Sequence, residues 1–245
     1  MSPPRRPSGP VPSTRPARRR SAAAAPAAAR SPERKGRNRY HHGNLRQALL
    51  EQAVATIRDH GVDALTLRDV GARLRVSRTA LYRHFHDKTA LLAAVAAEGF
   101  RAFRLALVEG WESGGHGRAG FEAMGLAYMH FALANPSHYR VMFGGFVTKA
   151  ACDPELTTQA ESAFQALVQA LVEMQQVGLV RSGDVPAMAV FVWAAVHGTA
   201  MLAIDGQLAG APVVSLLPLT VQRVWDAVSA VLVPVPLPAP ARARQ

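Results

Sequence analysis

Side chains that can donate hydrogen bonds or carry positive charge are concentrated in residues 77–88. They include Ser77, Arg78, Thr79, Tyr82, Arg83, His84 and Lys88. An arginine can donate two parallel hydrogen bonds to guanine, and a threonine methyl can contact the methyl group of thymine. Tyrosine, histidine and lysine side chains can reach phosphate oxygens. This chemistry suits both the reading of base edges and the positioning of a protein on a DNA backbone.

The first of two short helices that could position these side chains begins after Thr66. Thr66 and Asp69 have the spacing of a capping pair, in which the first side chain caps the helix N-terminus. The apolar residues of this helix, Leu67, Val70 and Leu74, lie on one face. We include Thr66 among the candidate DNA contacts because it lies at the start of this element.

A second helix is predicted over residues 78–85, with Ser77 as its N-cap. Leu81 and Phe85, four residues apart, form its buried face. The side chains that then point outward are Arg78, Thr79, Tyr82 and Arg83. Two helices joined by a tight turn form a helix-turn-helix, whose second helix fits the major groove. The alternative is an ordinary solvated helix face with surface arginines.

Lys88 follows a predicted N-cap, Asp87, so a phosphate contact is expected at the start of the next helix. His84 is also expected to contact phosphate. Neither contact would depend on the base sequence.

Residues 40–95 closely resemble the DNA-binding domain of the TetR family of bacterial repressors. The matching segments are "LTLRDVGARL" and "VSRTALYRHFHDKTALL", in which Tyr82, Phe85 and Lys88 occupy characteristic places. Arg75 stands where the family often has glycine in the turn, so a left-handed conformation there would cost more. The segments "NPSHYRVMFGG" and "FVWAAVHGTAMLAIDG" resemble the Trp-His-Gly subgroup of this family. The resemblance implies a homodimer with a C-terminal body that senses a small molecule.

Nearly all the excess positive charge lies at the N-terminus. The formal net charge is +11, and residues 1–39 hold 11 Lys and Arg against one acidic residue. This arm is rich in proline, alanine and arginine, so we expect it to be disordered. Arg37 and Arg39 lie close enough to the first helix to enter a minor groove. The composition does not fit a secretion signal, so a cytoplasmic location is expected.

Apolar residues recur at helical spacing from residue 44 onward, which predicts an all-α protein of about nine helices. We expect a disordered basic arm (1–39), a DNA-binding domain (40–95), a regulatory and dimerisation domain (96–233) and a disordered tail (234–245). The apolar segment 188–204 is short of a bilayer span, so we expect a core or interface helix and no membrane partner.

The body is expected to enclose an apolar pocket for a small-molecule effector. Residues 119–206 contain only ten charged side chains, which favours a largely hydrophobic ligand. The candidate lining residues are Phe121, Tyr128, Met142, Phe143, Phe164, Trp193 and His197. Plain core is the main alternative for each residue taken alone, and structural hydrogen bonding is the main alternative for His197.

A homodimer is predicted to close through two long helices, at about 186–209 and 215–232. The predicted apolar faces are Phe191, Ala195 and Leu202 on the first helix, and Val221, Val224 and Val228 on the second. Two-fold pairing would space the recognition helices for successive major grooves.

No constellation for catalysis, metal or cofactor is visible. "GHGRAG" (115–120) matches a dinucleotide-binding pattern but follows a helical segment rather than a strand. His41 and His42 are adjacent, and His84 and His86 are two apart, so neither pair converges on a metal from a helix. Cys152 has no base beside it in the sequence. No metal, no cofactor and no enzyme activity are expected.

The leading interpretation is a sequence-specific transcriptional regulator, a ligand-responsive repressor that binds a near-palindromic operator as a dimer. One alternative is a nonspecific DNA-binding protein that depends on the basic arm. A helical enzyme is the other, and it would need a catalytic group that the sequence does not show.

Overall fold

The computed structural model describes residues 45–145, 153–208 and 212–230. These ranges form nine α-helices and contain no strand, which confirms the predicted all-α class. The helices are α1 (Leu45–His60), α2 (Leu67–Arg73), α3 (Arg78–Tyr82), α4 (Lys88–Ser113), α5 (Gly117–Ala134), α6 (Pro136–Phe143), α7 (Pro154–Gln176), α8 (Val185–Ile204) and α9 (Val213–Val228). The predicted arm and tail lie outside the described residues, as do Arg37, Arg39, His41, His42 and Cys152.

Helices α1 to α3 and the first turns of α4 share one apolar cluster. Its buried members include Leu49, Ala53, Leu65, Val70, Leu81, Phe85, Leu91 and Val95. Gly71 allows α2 and α3 to approach closely, because a Cβ atom there would lie 3.3 Å from Cδ2 of Leu81. Burial of each large aliphatic side chain contributes roughly 1.5–3 kcal/mol. The cluster therefore holds α3 in place with its opposite face outward.

Both predicted caps are present in the helix-turn-helix. The Thr66 hydroxyl accepts from the Asp69 amide at 3.1 Å and donates to Asp69 Oδ2 at 2.6 Å. Ser77 Oγ accepts from the Ala80 amide at 3.2 Å. Between the helices, Arg75 has φ of +55°, the left-handed conformation that favours glycine. The turn therefore has the conformation anticipated from the family resemblance, with an arginine in it.

The predicted length of the second helix was wrong. α3 ends at Tyr82 rather than Phe85, although the Phe85 amide still donates to the Leu81 carbonyl at 3.1 Å. The next helix explains the early end, because its N-cap, Asp87, is extended with φ of −152°. Phe85 is nevertheless buried as predicted.

α4 is the central helix of the body and packs against α5, α6 and α7. The predicted domain boundary between residues 95 and 96 falls inside this 26-residue helix. Towards its C-terminal end α4 approaches α5 very closely, because a Cβ atom on Gly114 would lie 2.6 Å from the Gly120 Cα. The "GHGRAG" segment forms this tight connection between two helices and contains no strand.

α8 is apolar on all sides. Among the described residues it is the one helix whose length and composition would suffice to cross a bilayer, with 22% of its most apolar window buried. Its buried residues are Val185, Ala189, Val192, Val196 and Ala200. This face packs against α5, α7 and α9. The opposite face leaves Val190, Phe191 and Leu202 about half exposed.

The prediction that Val221, Val224 and Val228 of α9 form a dimer interface was wrong. Val221, Val224 and Val228 are at most 4% exposed and face the core of their own chain. They pack there because α9 lies against α5 and α8 and covers one side of the body. The exposed large apolar residue of α9 is instead Leu219. An antiparallel bridge between Val180 and Ser229 ties the end of this helix to the α7–α8 connection.

Candidate functional sites

The polar side chains of α3 and the turn after it form one exposed surface. Arg78, Thr79, Tyr82, Arg83 and His84 are all exposed, while Leu81 and Phe85 beneath them are buried. The structure therefore brings together the residues proposed to read bases and those proposed to contact phosphate. Thr66 and Ser77 are exposed beside them and use their side-chain oxygens as helix caps.

Arg78 and Tyr82 are paired on this surface. The guanidinium carbon of Arg78 lies 5.4 Å from the centroid of the Tyr82 ring, a cation–π distance. The two residues are four apart, so they lie one above the other on the short helix. The contact restricts the long arginine side chain without neutralising it. A restricted arginine loses less conformational entropy when it binds a base edge.

Lys88 has a structural contact that the sequence did not predict. Its Nζ donates to the carbonyl oxygen of Asp63 at 3.1 Å, which ties the start of α4 to the loop between α1 and α2. The ammonium group has two further donors. A phosphate contact thus stays a prediction, alongside a role in fixing the loop.

The body contains an apolar cavity of about 260 Å3, bordered by residues of α4, α5, α6, α7, α8 and α9. Five of the seven candidate residues line it, namely Phe121, Tyr128, Phe143, Phe164 and Trp193. The wall is completed by Phe100, Phe103, Leu107, Met124, Gly125, Ala160, Ala163, Leu167, Val192, Val196, Val221 and Val224. None of these described lining residues carries a formal charge.

The other two candidates, Met142 and His197, lie outside the lining of this cavity, and their contact with a ligand stays a prediction. Met142 packs between helices, since a Cβ atom on Gly99 would lie 2.6 Å from its sulfur. His197 is turned towards two tyrosine hydroxyls. The cavity residues of α4, Phe100, Phe103 and Leu107, were not predicted because they lie outside residues 119–206, the segment whose low charge indicated the pocket. The 3- and 4-residue spacings of Phe100, Phe103 and Leu107 mark one helix face and could have revealed them.

A buried polar chain runs beside the cavity. Trp193 Nε1 donates to the Tyr128 hydroxyl at 3.2 Å, and this hydroxyl lies 2.7 Å from that of Tyr139. The Tyr139 hydroxyl lies 2.7 Å from Nδ1 of His197. One assignment satisfies every group: Trp193 donates to Tyr128, Tyr128 to Tyr139, and Tyr139 to a neutral His197. No buried side-chain nitrogen or oxygen in the described residues lacks a partner.

Burial keeps this chain uncharged. It lowers the pKa of His197 and raises the pKa of both Tyr128 and Tyr139 above the usual value for tyrosine. Desolvation is the main cause for all three groups, since it penalises the charged form. At neutral pH the tyrosines are therefore hydroxyl donors and His197 is neutral.

α6 connects the cavity with the helix-turn-helix. Phe143 lines the cavity, and Tyr139 belongs to the polar chain. The same helix packs against α1 and α4, with Met142 against Gly99. At its outer side Arg140 pairs with Asp205 at the end of α8, at 2.8 Å. A displacement of the cavity wall at Phe143 would therefore reach α1 through a single short helix.

The N-terminal module and the body each match a known family. The family described as bacterial regulatory proteins, TetR family, matches residues 49–95. The family described as tetracyclin repressor-like, C-terminal domain, matches residues 121–228. Together the two matches cover more than half of the chain. The chain belongs to the TetR family, and it is a DNA-binding transcription regulator.

Curated relatives resemble the N-terminal module. The chain is 46% identical over 46 residues to the probable acrEF/envCD operon repressor of Escherichia coli K12, covering 19% of this chain and 21% of that protein. It is 43% identical over 51 residues to the tetracycline repressor protein class C of Escherichia coli, covering 21% and 23%. The chain therefore matches less than a quarter of the length of each.

Solved structures match most of the described chain. A protein of unknown function from Rhodococcus sp. RHA1 is 34% identical, with a TM-score of 0.71 over 78% of this chain and 99% of that one. A TetR family transcription regulator from Marinobacter aquaeolei VT8 is 24% identical, with a TM-score of 0.61 over 75% and 95%. The similarity to the Marinobacter aquaeolei protein shows a shared fold.

Proposed function

We propose that this protein is a ligand-responsive repressor whose dimer binds a near-palindromic operator and releases it when an apolar effector occupies the cavity. The observation that carries this proposal is the position of α6. One residue of this helix lines the cavity, and the helix packs against α1 of the helix-turn-helix module. The curated relatives are named as repressors, which supports repression as the direction of control.

DNA reading is assigned to the exposed surface of α3. Arg78, Thr79 and Tyr82 contact base edges, while Arg83, His84 and Lys88 contact phosphates. Thr66 and Ser77 lie at helix starts that face the same DNA. Arg37 and Arg39, outside the described residues, add affinity from the minor groove. This division assigns residues 40–95 to DNA binding and 96–233 to regulation and dimerisation.

The effector acts by binding one conformation of the body better than another. An effector weakens operator binding only by the difference between its binding free energies for the two conformations. Each tenfold loss of operator affinity requires a difference of about 1.4 kcal/mol. Phe143 is the wall residue through which we expect the change to reach α6. The polar chain of Tyr128, Tyr139 and His197 supports the same helix from the other side. The proposed membership of the Trp-His-Gly subgroup rests on the sequence of segments 135–145 and 191–206, with Trp193, His197 and Gly198.

The dimer forms through the exposed face of α8. Val190, Ala194, Gly198 and Leu202 follow one another at intervals of four, so they form a stripe along this helix. A Cβ atom on Gly198 would meet nothing within 4 Å in the protomer, so the middle of the stripe is open. Small residues flanked by larger apolar ones allow a second α8 to approach closely. We therefore assign the exposed apolar surface of α8 to a partner copy in the cytoplasm rather than to a membrane.

Footprinting of the full-length protein on the DNA upstream of its own gene tests this function. A repressor of this kind protects two half-sites separated by about one helical turn or a multiple of it. A nonspecific protein driven by the arm would protect without fixed boundaries, and an enzyme would protect nothing. Deletion of residues 1–36 should lower affinity and its salt dependence while the footprint boundaries stay the same. If this deletion abolished the footprint, it would contradict the assignment of DNA sequence reading to α3.

A further inference from the structure

We propose that the cavity accepts a neutral, largely hydrocarbon ligand of about ten non-hydrogen atoms and excludes anions. The regulatory consequence rests on the proposed function, because only a responsive repressor would convert this selectivity into a change of DNA binding. The ligand class itself follows from the wall of the cavity.

The described wall offers no unoccupied polar partner to a charged ligand. Trp193 and Tyr128 are the two lining residues with polar side-chain atoms, and they are hydrogen-bonded to each other at 3.2 Å. The Tyr128 hydroxyl also lies 2.7 Å from that of Tyr139. A carboxylate that entered would lose its hydration and gain no opposite charge. A neutral molecule loses far less hydration and gains the burial of apolar surface.

Arg118 and Arg140, on two of the helices around the cavity, are engaged elsewhere. Arg118 of α5 donates to Glu122 at 2.8 Å, and Arg140 of α6 donates to Asp205 at 2.8 Å. Both arginines are exposed, so they point away from the apolar interior. Redirecting either guanidinium towards the cavity would break its ion pair and bury its charge. Neither arginine therefore supplies a cation to the apolar wall, and Arg104 of α4 lines the outer groove instead.

The dimensions and the rings of the cavity favour a compact ligand. An apolar cavity of roughly 150 Å3 takes a benzene molecule, so 260 Å3 suits about ten atoms. Pairs of lining rings meet edge to face, with Phe103 and Tyr128 at 4.8 Å and Phe164 and Trp193 at 6.0 Å. An aromatic ligand could continue this edge-to-face packing.

Three probes of nearly equal size distinguish the effect of ligand charge on binding from the effect of ligand shape. They are 1,4-diethylbenzene, 4′-ethylacetophenone and the 4-ethylbenzoate anion, each with about ten non-hydrogen atoms. Binding to the full-length protein is measured by ligand-observed NMR at a pH of about 7.5, where the carboxylate is ionised. The two neutral probes should bind, with the carboxylate weaker by a factor on the order of 100. A carboxylate that bound as tightly as the ketone would overturn the proposal, and so would a failure of all three probes to bind.

Two matched variants of α7 locate the binding. Ala160→Phe fills the cavity and should abolish binding of the neutral probes, whereas Ala166→Phe, on the outer groove between α4 and α7, should not. Equal binding to both variants would place the probes elsewhere and overturn the proposal. Circular dichroism and the thermal midpoint establish that each variant is folded before it is compared.

A third variant tests whether the absence of a cation in the wall is the reason that the carboxylate is excluded. Leu167→Lys places a cation in the wall and should bring the carboxylate to within about threefold of the ketone. Leu167→Met is its uncharged control and should keep the original preference. A folded lysine variant that still rejected the carboxylate would show that charge is not the basis of selection.

The proposed function is tested separately in the same samples. Operator affinity is measured with and without saturating 1,4-diethylbenzene. If this probe occupies the cavity and operator affinity is unchanged, the proposed control of DNA binding fails for this ligand while the ligand class stands. If the carboxylate binds best and also releases DNA, the ligand class fails while the regulatory function stands.

Discussion

Tyr139 and His197 are joined by a hydrogen bond of 2.7 Å that links α6 to α8 inside the body. Tyr139→Phe would remove this bond and the 2.7 Å contact with Tyr128, while keeping the ring. Because the Tyr128 hydroxyl lies 3.1 Å from Nδ1 of His197 and can donate to it in the variant, we expect a loss of about 0.5–1.5 kcal/mol in the free energy of unfolding. Urea denaturation measures it, with Tyr82→Phe on the exposed DNA surface as the control. Equal stability of the two variants would contradict a role for this bond.

The turn residue Arg75 is predicted to reduce stability in its native conformation. Its φ of +55° lies in the left-handed region, where glycine has no Cβ penalty. Arg75→Gly should raise the free energy of unfolding by about 0.5–1 kcal/mol after the greater entropy of unfolded glycine is included. Arg75→Ala removes the guanidinium and keeps the Cβ atom, so it should bring no such gain. If Arg75→Ala raised the stability as much as Arg75→Gly, the charge of the arginine rather than its backbone conformation would be the cause of the lower stability.

His116 is predicted to stabilise the body in a pH-dependent way. Its Nε2 lies 3.0 Å from Glu112 and its Nδ1 lies 3.1 Å from Glu173. The hydrogen bonds to Glu112 and then to Glu173 raise its pKa above the usual value. Because both ring nitrogens can donate only in the protonated form, this contribution is complete below the unfolded pKa of about 6.5. The contribution is lost as the pH rises through the higher pKa that His116 has in the folded protein.

The test compares the wild-type protein with His116→Gln at a pH of about 6 and of about 8.5. The variant should be less stable than the wild type at the lower pH, and the difference should shrink at the higher one. His138 and His197, whose pKa values are lowered by desolvation, change stability in the opposite sense but are present in both proteins. A difference that did not change with pH would show that the ring acts through packing.

The helix-turn-helix was predictable from sequence because its determinants are local. Thr66 and Ser77 cap helices within three residues of themselves, and Leu81 and Phe85 are buried as their spacing indicates. The partners of the apolar faces in the body were not predictable in this way. Val221 and Val224 could face a second chain or the protein's own core, and only the packing of α9 decides between them. His197 was similarly ambiguous until Tyr128 and Tyr139, distant in sequence, were placed beside it.

The exposed face of α8 is predicted to hold the dimer together. Phe191→Arg or Leu202→Arg places a charge on a surface that a dimer would bury, at a cost of several kcal/mol without a partner charge. Both variants should be monomeric at micromolar concentration and bind operator weakly. Leu105→Arg changes another exposed apolar residue, on α4, and is the control. Light scattering that showed an unchanged dimer in all three variants would exclude this face.

The central claim is that the exposed surface of α3 reads DNA sequence. Its most direct test is the selection of preferred sites from a random DNA library by the wild-type protein, by Arg78→Ala and by Arg58→Ala, an exposed arginine of α1 used as the control. The wild type and the control should select the same near-palindromic site. Arg78→Ala should lose preference at one position of each half-site, at a cost of about 1–3 kcal/mol. Selection of the unchanged site by Arg78→Ala, with equal affinity, would contradict the account.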